Sequence, residues 1–297
     1  MHSAFIIYES PQQPAILLAL HLKSGPHDPA SRFWYCSRTM AQRIPVLRIT
    51  SHLFFFVTAF LLAGNARAEE IHIAVASNFT ATMQILAERF EKQSGHSVVL
   101  LPGSTGKHYA QIMHGAPFDA FFAADAERPA LLEAGGRSLP GSRFTYAIGR
   151  LVLWSPDPEL VDGDGAVLQS RAFRRLAIAN PRLAPYGRAA QQFLESRRLW
   201  ESLQPKLVRG ENIGQAFQFV ASGNAELGLV ALSQLMQSGR HRKGSWWQVP
   251  GTLHTPIEQQ AVLLSDSTAA ADFMRFAKSE PAHTIIRGFG YGIPDVQ

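Results

Sequence analysis

The protein has 297 residues, of which 46% are hydrophobic and 17% are charged. This composition is that of an ordinary globular chain, and it excludes collagen-like, low-complexity, generally disordered and multi-pass membrane proteins. The formal charge of +5 comes from 28 Lys and Arg against 23 Asp and Glu. It suggests a nucleic-acid or membrane partner only if the basic residues lie in the folded part of the chain.

A secretion signal is predicted before residue 69. Leu53–Gly64 reads LFFFVTAFLLAG, follows Arg43 and Arg48, and precedes Ala66-Arg67-Ala68. The apolar run is much shorter than the roughly 20 residues that span a bilayer, and the small-x-small pattern after it is typical of a signal-peptidase site. We therefore predict that residues 1–68 form a leader that is cleaved after Ala68.

The leader is predicted to start at Met40. The 39 residues before Met40 exceed what a charged n-region needs, whereas residues 40–68 make a leader of 29 residues, which is a normal size. A real but disordered N-terminal extension is the alternative.

Removal of the leader changes the charge and cysteine content. Six basic and two acidic residues leave with it, so the mature chain has a net charge of +1, which gives no support to nucleic-acid binding. Cys36, the only cysteine, is also removed. The mature chain therefore has no disulfide, thiolate metal site or cysteine nucleophile, and no cysteine that could carry a lipid.

Strand and helix patterns alternate along the mature chain. Met83, Leu86, Ala87 and Phe90 have helical spacing, and Gly95 is placed to end that helix. Strands are predicted at 71–76, 97–101, 119–123, 151–154, 175–179, 206–208, 227–231, 248–250 and 259–264, and helices at 80–93, 108–114, 126–134, 189–197, 214–221 and 269–278, the last of the chain. Such alternation predicts α/β lobes, each with a mostly parallel sheet flanked by helices.

The mature chain of about 229 residues suits two lobes of about 110 residues each. We assign residues 69–147 and 250–297 to lobe I and residues 148–249 to lobe II, joined by two crossing strands.

No catalytic motif appears in the mature chain. It contains no GxSxG and no HExxH, and its scattered histidines lack metal-ligand spacing. Gly103–Lys107 (GSTGK) is reminiscent of a phosphate-binding loop, but Leu101 and His108 stand where a P-loop needs Gly and Ser or Thr. ATP binding is therefore rejected, and the protein is predicted not to be an enzyme.

Four turns remain in which small or polar residues open a helix. They are Ser77-Asn78, Ser104-Thr105, Pro185-Tyr186-Gly187 and Asn212-Ile213-Gly214. Helix N-termini combine unsatisfied N–H donors with the positive end of a dipole, so several of them converging on one point would bind an anion without Lys or Arg. One such turn alone is more often a simple cap.

These turns occur within segments that resemble the periplasmic molybdate-binding proteins of ABC transporters, which have the type II periplasmic binding-protein fold. The segments are IHIAVASNF (71–79), LLPGSTGKHYAQI (100–112), PFDAFFAAD (117–125), IANPRLAPYG (178–187), GENIGQAFQFVASGNAELGLVALSQ (210–234) and PIEQQAVLL (256–264). The resemblance covers essentially the whole mature chain. It implies two lobes with a ligand cleft between them, a periplasmic location and a monomer that delivers molybdate or tungstate to a membrane permease, with no cofactor and no nucleic acid.

The resemblance also implies the residues of the site. In the first turn, Ser77 and Asn78 would offer the anion a hydroxyl and a backbone N–H. Ser104 would offer both its hydroxyl and its backbone N–H. Tyr186 and Ile213 would each offer a backbone N–H. The metal is bound as an oxyanion, with no direct metal ligands. Many family members have a tyrosine where Ala231 stands here, so the hydroxyl of Tyr186 is expected to replace that missing donor.

Charge favours molybdate over phosphate. A fully deprotonated dianion is satisfied by donors alone, whereas phosphate keeps a proton that needs an acceptor. No Asp or Glu lies in the four turns, although Glu211 adjoins one of them. The alternatives are a receptor for sulfate, phosphate or another oxyanion on the same fold, a secreted enzyme, and a transcription regulator, which would need a DNA-binding helix-turn-helix in place of the leader.

Overall fold

The computed structural model describes residues 68–237 and 240–294. The apolar run of the predicted leader, Met40 and Cys36 lie outside the described residues. Within them, no helix is both long enough and apolar enough to cross a membrane.

The first sheet, sheet I, has five strands in the order β2-β1-β3-β12-β4. Its strands are β1 (Glu70–Ala76), β2 (Ser97–Gly103), β3 (Ala120–Phe122), β4 (Phe144–Gly149) and β12 (Ile257–Leu263). β1 pairs in parallel with β2 and β3, and β12 runs antiparallel between β3 and β4. Four of the five strands therefore point the same way.

The second sheet, sheet II, has the order β11-β5-β8-β6-β7. Its strands are β5 (Leu151–Ser155), β6 (Leu176–Ala179), β7 (Leu207–Gly210), β8 (Leu227–Ala231) and β11 (Ser245–Gln248). β6 pairs in parallel with β7 and β8, whereas β5 is antiparallel to both β8 and β11. A short hairpin, β9 (Met236–Gln237) with β10 (Arg240–His241), lies apart from both sheets.

Helices cover both sheets, as the alternation predicts. They are α1 (Thr80–Ser94), α2 (Thr105–Met113), α3 (Glu127–Ala134), α4 (Pro185–Ser196), α5 (Trp200–Leu203), α6 (Ile213–Ala221), α7 (Leu232–Leu235), α8 (Thr268–Ala277) and α9 (Glu280–Gly288). Each sheet has its own core: Phe79, Phe122 and Phe273 are buried beside sheet I, and Phe193 and Leu229 beside sheet II. Burying one such side chain is worth about 1.5–3 kcal/mol. The predicted architecture of two mostly parallel, helix-flanked sheets is confirmed.

Some element boundaries predicted from the sequence are wrong. The strand predicted at 248–250 is Ser245–Gln248, which ends before Pro250, a residue without an N–H for the ladder. The helix predicted as the last one is followed by α9, whose first turn contains Pro281 and whose N-cap is Ser279. Both of these errors lie outside the four helix-opening turns, but α2 and α4 begin within such turns, at Thr105 and Pro185, before their predicted starts at residues 108 and 189.

The chain passes from sheet I to sheet II at Arg150, directly between β4 and β5, and returns between Gln248 and Ile257. β4 belongs to sheet I as far as Gly149. The division into lobe I and lobe II at residues 147 and 249 stays a prediction.

Candidate functional site

The four turns predicted from the sequence line one small cavity between the sheets. Its walls are Ala76, Ser77, Asn78, Gly103, Ser104, Thr105, Ala124, Ala184, Pro185, Tyr186, Asn212 and Ile213. The turns lie at the carboxyl ends of β1 and β2 and at the starts of α4 and α6, the edge at which α/β proteins bind ligands. The cavity volume of about 10 Å³ is far below the roughly 300–1,000 Å³ of sites for drug-sized molecules. The cavity therefore excludes molecules of that size and leaves only a very small ligand, such as an inorganic ion.

Ser104 opens α2 at the end of β2. It has extended backbone angles (φ −80°, ψ 143°), and its hydroxyl accepts a long hydrogen bond of 3.4 Å from the Lys107 N–H. The next residue, Thr105, is held by a 3.0 Å bond from the Ala124 N–H to its hydroxyl oxygen. Because Ser104 is the cap, α2 begins three residues before the predicted start at residue 108. The Ser104 hydroxyl keeps its own proton for a ligand.

Ser77 lies where the two sheets meet. Its hydroxyl oxygen accepts a 3.1 Å hydrogen bond from the Gly214 N–H at the start of α6. Asn78, which follows it, is 4% exposed. Its side-chain amide donates to the Gln259 Oε1 at 2.8 Å and to the Tyr291 hydroxyl at 3.0 Å. With both amide hydrogens used, the backbone N–H is the donor that Asn78 has left for the cavity, and its Oδ1 has no hydrogen-bond partner among the described residues.

Two helix starts complete the wall on the side of sheet II. Pro185 is the first residue of α4 and has no N–H, so the Tyr186 N–H is the first of that helix and has no intrahelical acceptor. Asn212 caps α6, and its Oδ1 accepts from the Gln215 N–H at 3.0 Å. Since the Gly214 N–H is bound by Ser77, the Ile213 N–H is the group of that turn left for the cavity.

The hydroxyl of Tyr186 is buried beside the first crossing between the sheets. A Cβ added to Gly149 would collide with this hydroxyl and would lie 2.9 Å from the Gln259 Nε2. Burial, followed by the neighbouring Tyr291, raises the pKa of Tyr186 well above its ordinary value, against the opposing effect of the Arg150 backbone and the Gln259 side chain. The phenol is therefore protonated near neutral pH and can donate.

The described residues that line the cavity carry no charge. The charged groups around it are paired with one another: Lys107 Nζ lies 3.0 Å from Glu211 Oε1, and Arg188 Nη1 lies 2.8 Å from Glu127 Oε2. Glu211, which adjoins the α6 turn in sequence, is thus bound to the lysine of the GSTGK segment. The cavity presents neutral donors and no carboxylate acceptor.

Ala231 ends β8, is fully buried and lies outside the residues that line the cavity. Its N–H donates to the Gln234 Oε1 at 3.0 Å. This position therefore offers the cavity no side-chain donor.

Sequence reasoning missed the buried polar residues behind the cavity. Gln259, Tyr146, Tyr291 and Ser233 form hydrogen bonds to one another or to Asn78. Gln259 falls between Ile257 and Ala261 in the alternation of β12, where the pattern favours an apolar side chain, and this could have drawn attention to it. The other three carry no sequence signal of their own.

Comparison with known proteins gives the class first. Residues 71–292 match the model of the bacterial extracellular solute-binding protein family. That match covers well over half of the chain, and the chain belongs to this family.

Individual relatives are more specific. The chain is 50% identical over 246 residues to the molybdate-binding protein ModA of Azotobacter vinelandii, covering 82% of this chain and 98% of that protein. It is 45% identical over 233 residues to the molybdate-binding protein ModA of Rhodobacter capsulatus, covering 77% and 91%. The solved structure of the Azotobacter vinelandii periplasmic molybdate-binding protein matches with a TM-score of 0.74 and 45% identity, covering 76% of this chain and all of that one. The resemblance stated from the sequence is confirmed.

Proposed function

We propose that this protein captures molybdate and also tungstate in the cavity between its sheets and delivers the anion to the permease of an ABC transporter. One observation carries the proposal: helix-opening turns from both sheets line one small cavity whose described lining residues are all neutral. The identity of 50% to a molybdate-binding protein supports the choice of ligand. Capture of this kind needs neither a cofactor nor a catalytic group, and it can be carried out by a monomer.

The donors match the chemistry of a deprotonated tetrahedral oxyanion. Ser77 and Ser104 would donate through their hydroxyls, and Asn78, Tyr186 and Ile213 through backbone N–H groups at helix starts, where the helix dipole favours negative charge. Hydrogen bonds to a charged group are worth about 1.5–3 kcal/mol each. A ligand that retains a proton would find no carboxylate here to accept it, which disfavours phosphate.

Calorimetric competition among molybdate, tungstate, sulfate and phosphate tests the proposal. We expect molybdate and tungstate to bind tightly and to displace each other, with sulfate weaker because its shorter bonds stretch several hydrogen bonds at once. Tighter binding of sulfate or phosphate than of molybdate would overturn the choice of ligand.

Ligand binding is expected to close the two sheets on each other. Two ion pairs cross between them, Lys107 with Glu211 and Arg188 with Glu127, together with a backbone bond of 2.8 Å from the Gly106 N–H to the Leu183 carbonyl. The ion pairs stabilise the closed form, and affinity rises with the fraction of molecules that can close.

Charge exchange at one ion pair tests this closure. Exposed pairs are worth about 0.2–1 kcal/mol, so Lys107→Glu should weaken molybdate binding a few-fold, and adding Glu211→Lys should restore most of the loss at low salt. Arg174→Glu is the control. Arg174 and its partner Glu226 both belong to sheet II, and they lie at the strand ends opposite the cavity, so this pair does not cross between the sheets. Equal affinity for all of these variants would mean that the pair does not stabilise closure.

Export is part of the proposal. Cleavage of the leader after Ala68 would release a chain that begins at Glu69, one residue before β1. N-terminal sequencing of the exported protein should therefore start at Glu69. A stable exported product that still contains Cys36 would contradict it.

A further inference from the structure

Gln259 lies behind the cavity, in contact with the first of the four helix-opening turns. It lies on β12, is fully buried, and contacts groups from several elements. Its Oε1 accepts from the Asn78 Nδ2 at 2.8 Å and lies 3.0 Å from the Tyr146 hydroxyl, which also contacts the Ala123 carbonyl. One side chain is thus bonded to the first anion-binding turn and to a strand of sheet I.

In the structure, the NH2 end of the Gln259 amide faces Tyr186. Because Oε1 is directed at Asn78 and Tyr146, the NH2 group of Gln259 is directed at Gly149, where the Tyr186 hydroxyl also lies. Neither Gln259 Nε2 nor Tyr186 Oη has an aligned hydrogen-bond partner within the described part of the chain. Arg150 and Gln259 both act to lower the raised pKa of Tyr186, as N–H donors to its oxygen would.

A phenol whose oxygen faces N–H donors must direct its own proton elsewhere. Amide nitrogen is a donor only, and a hydroxyl has a single hydrogen. A buried hydroxyl left without an acceptor is unfavourable by about 1–3 kcal/mol. An oxyanion in the adjoining cavity, which Tyr186 lines, would supply that acceptor.

We propose that Gln259 is a positioning and specificity residue for oxyanion capture. Its carbonyl end holds the Asn78 turn of sheet I, and its NH2 end directs the Tyr186 proton of sheet II toward the ligand. In this way only hydrogen-bond donors face the ligand, and the site selects a fully deprotonated anion. This inference rests on the proposed function.

A double-mutant cycle with Tyr186→Phe tests whether Gln259 acts through Tyr186. We expect Gln259→Met and Tyr186→Phe each to weaken molybdate binding about tenfold, and the double variant to bind much like either single one, because residues in one network are not additive. Gln260→Met is the matched control: Gln260 is the next residue of β12, but it bonds Arg143, Thr145 and Glu258 away from the cavity. It should bind molybdate like the wild type.

Gln259→Glu tests polarity with almost no change of shape. A carboxylate would accept a hydrogen bond from the Tyr186 hydroxyl and would repel the dianion. The molybdate affinity at pH 8 should therefore fall further than in Gln259→Met. It should recover in part at pH 6, as the carboxyl gains a proton. Thermal melting checks whether each variant folds. If Gln259→Met does not fold, Gln259→Glu takes its place in the test.

The outcomes separate this inference from the proposed function. A wild type that binds neither molybdate nor tungstate overturns the function itself. A wild type that binds tightly, with folded Gln259 variants that bind equally well or lose affinity additively with Tyr186→Phe, overturns only the role of Gln259.

Discussion

Replacing Gly187 by alanine should weaken molybdate binding by at least a hundredfold. A Cβ at this position would collide with the Ala179 carbonyl oxygen and would lie 2.8 Å from the carbonyl carbons of Ala179 and Asn180. These are backbone atoms at the end of β6, so they cannot turn aside as a side chain would. The start of α4 would have to move away, and the Tyr186 N–H would move with it.

The same change should lower the free energy of unfolding by about 1–3 kcal/mol, the usual range for overpacking a core. Calorimetry gives the affinity and urea denaturation the stability. Gly288→Ala is the matched control, since a Cβ there meets nothing within 4 Å and the residue lies in helix α9. It should leave the molybdate affinity unchanged and the free energy of unfolding unchanged or slightly higher, because alanine favours a helix more than glycine does. Normal molybdate affinity in Gly187→Ala would show that α4 does not hold a ligand group.

Replacing Ser104 by aspartate should abolish molybdate binding while leaving the fold intact. Aspartate is as good an N-cap as serine, so α2 should keep its start. A carboxylate in the cavity would face a dianion, and at about 4 Å each pair of unit charges repels by roughly 4 kcal/mol near a protein surface. Ser104→Ala, which removes only the hydroxyl, should cost about 1.5–3 kcal/mol of binding free energy.

The comparison distinguishes ligand contact from capping. Ser279→Asp makes the same substitution at the N-cap of α9, outside the cavity, and should leave binding unchanged. Isothermal calorimetry and thermal melting on all three variants provide the two readouts. If Ser104→Asp binds molybdate normally, Ser104 is a cap and not a ligand.

The local pattern of the chain determined most of the elements and the candidate turns. The spacing of Met83, Leu86, Ala87 and Phe90 predicts the buried face of α1, and all four are buried. Gly95 ends that helix with φ 76°, a conformation that glycine adopts without strain. Ser104 and Asn212 were recognisable as caps because their side chains compete for nearby N–H groups. Signals of this kind depend on residues within one or two turns of each other.

Tertiary structure alone decided which polar groups meet. The Ser77 hydroxyl bonds Gly214, 137 residues away, and the Asn78 amide bonds Gln259, 181 residues away. No local pattern encodes these partners, because the first bond depends on how two separate sheets approach each other and the second on how distant strands assemble within sheet I. The pairing of Lys107 with Glu211 and the position of the Tyr186 hydroxyl beside Gly149 have the same origin. Most buried donors and acceptors find a partner wherever the packed chain brings one, and partners as far apart in sequence as these are brought together only by the packed fold.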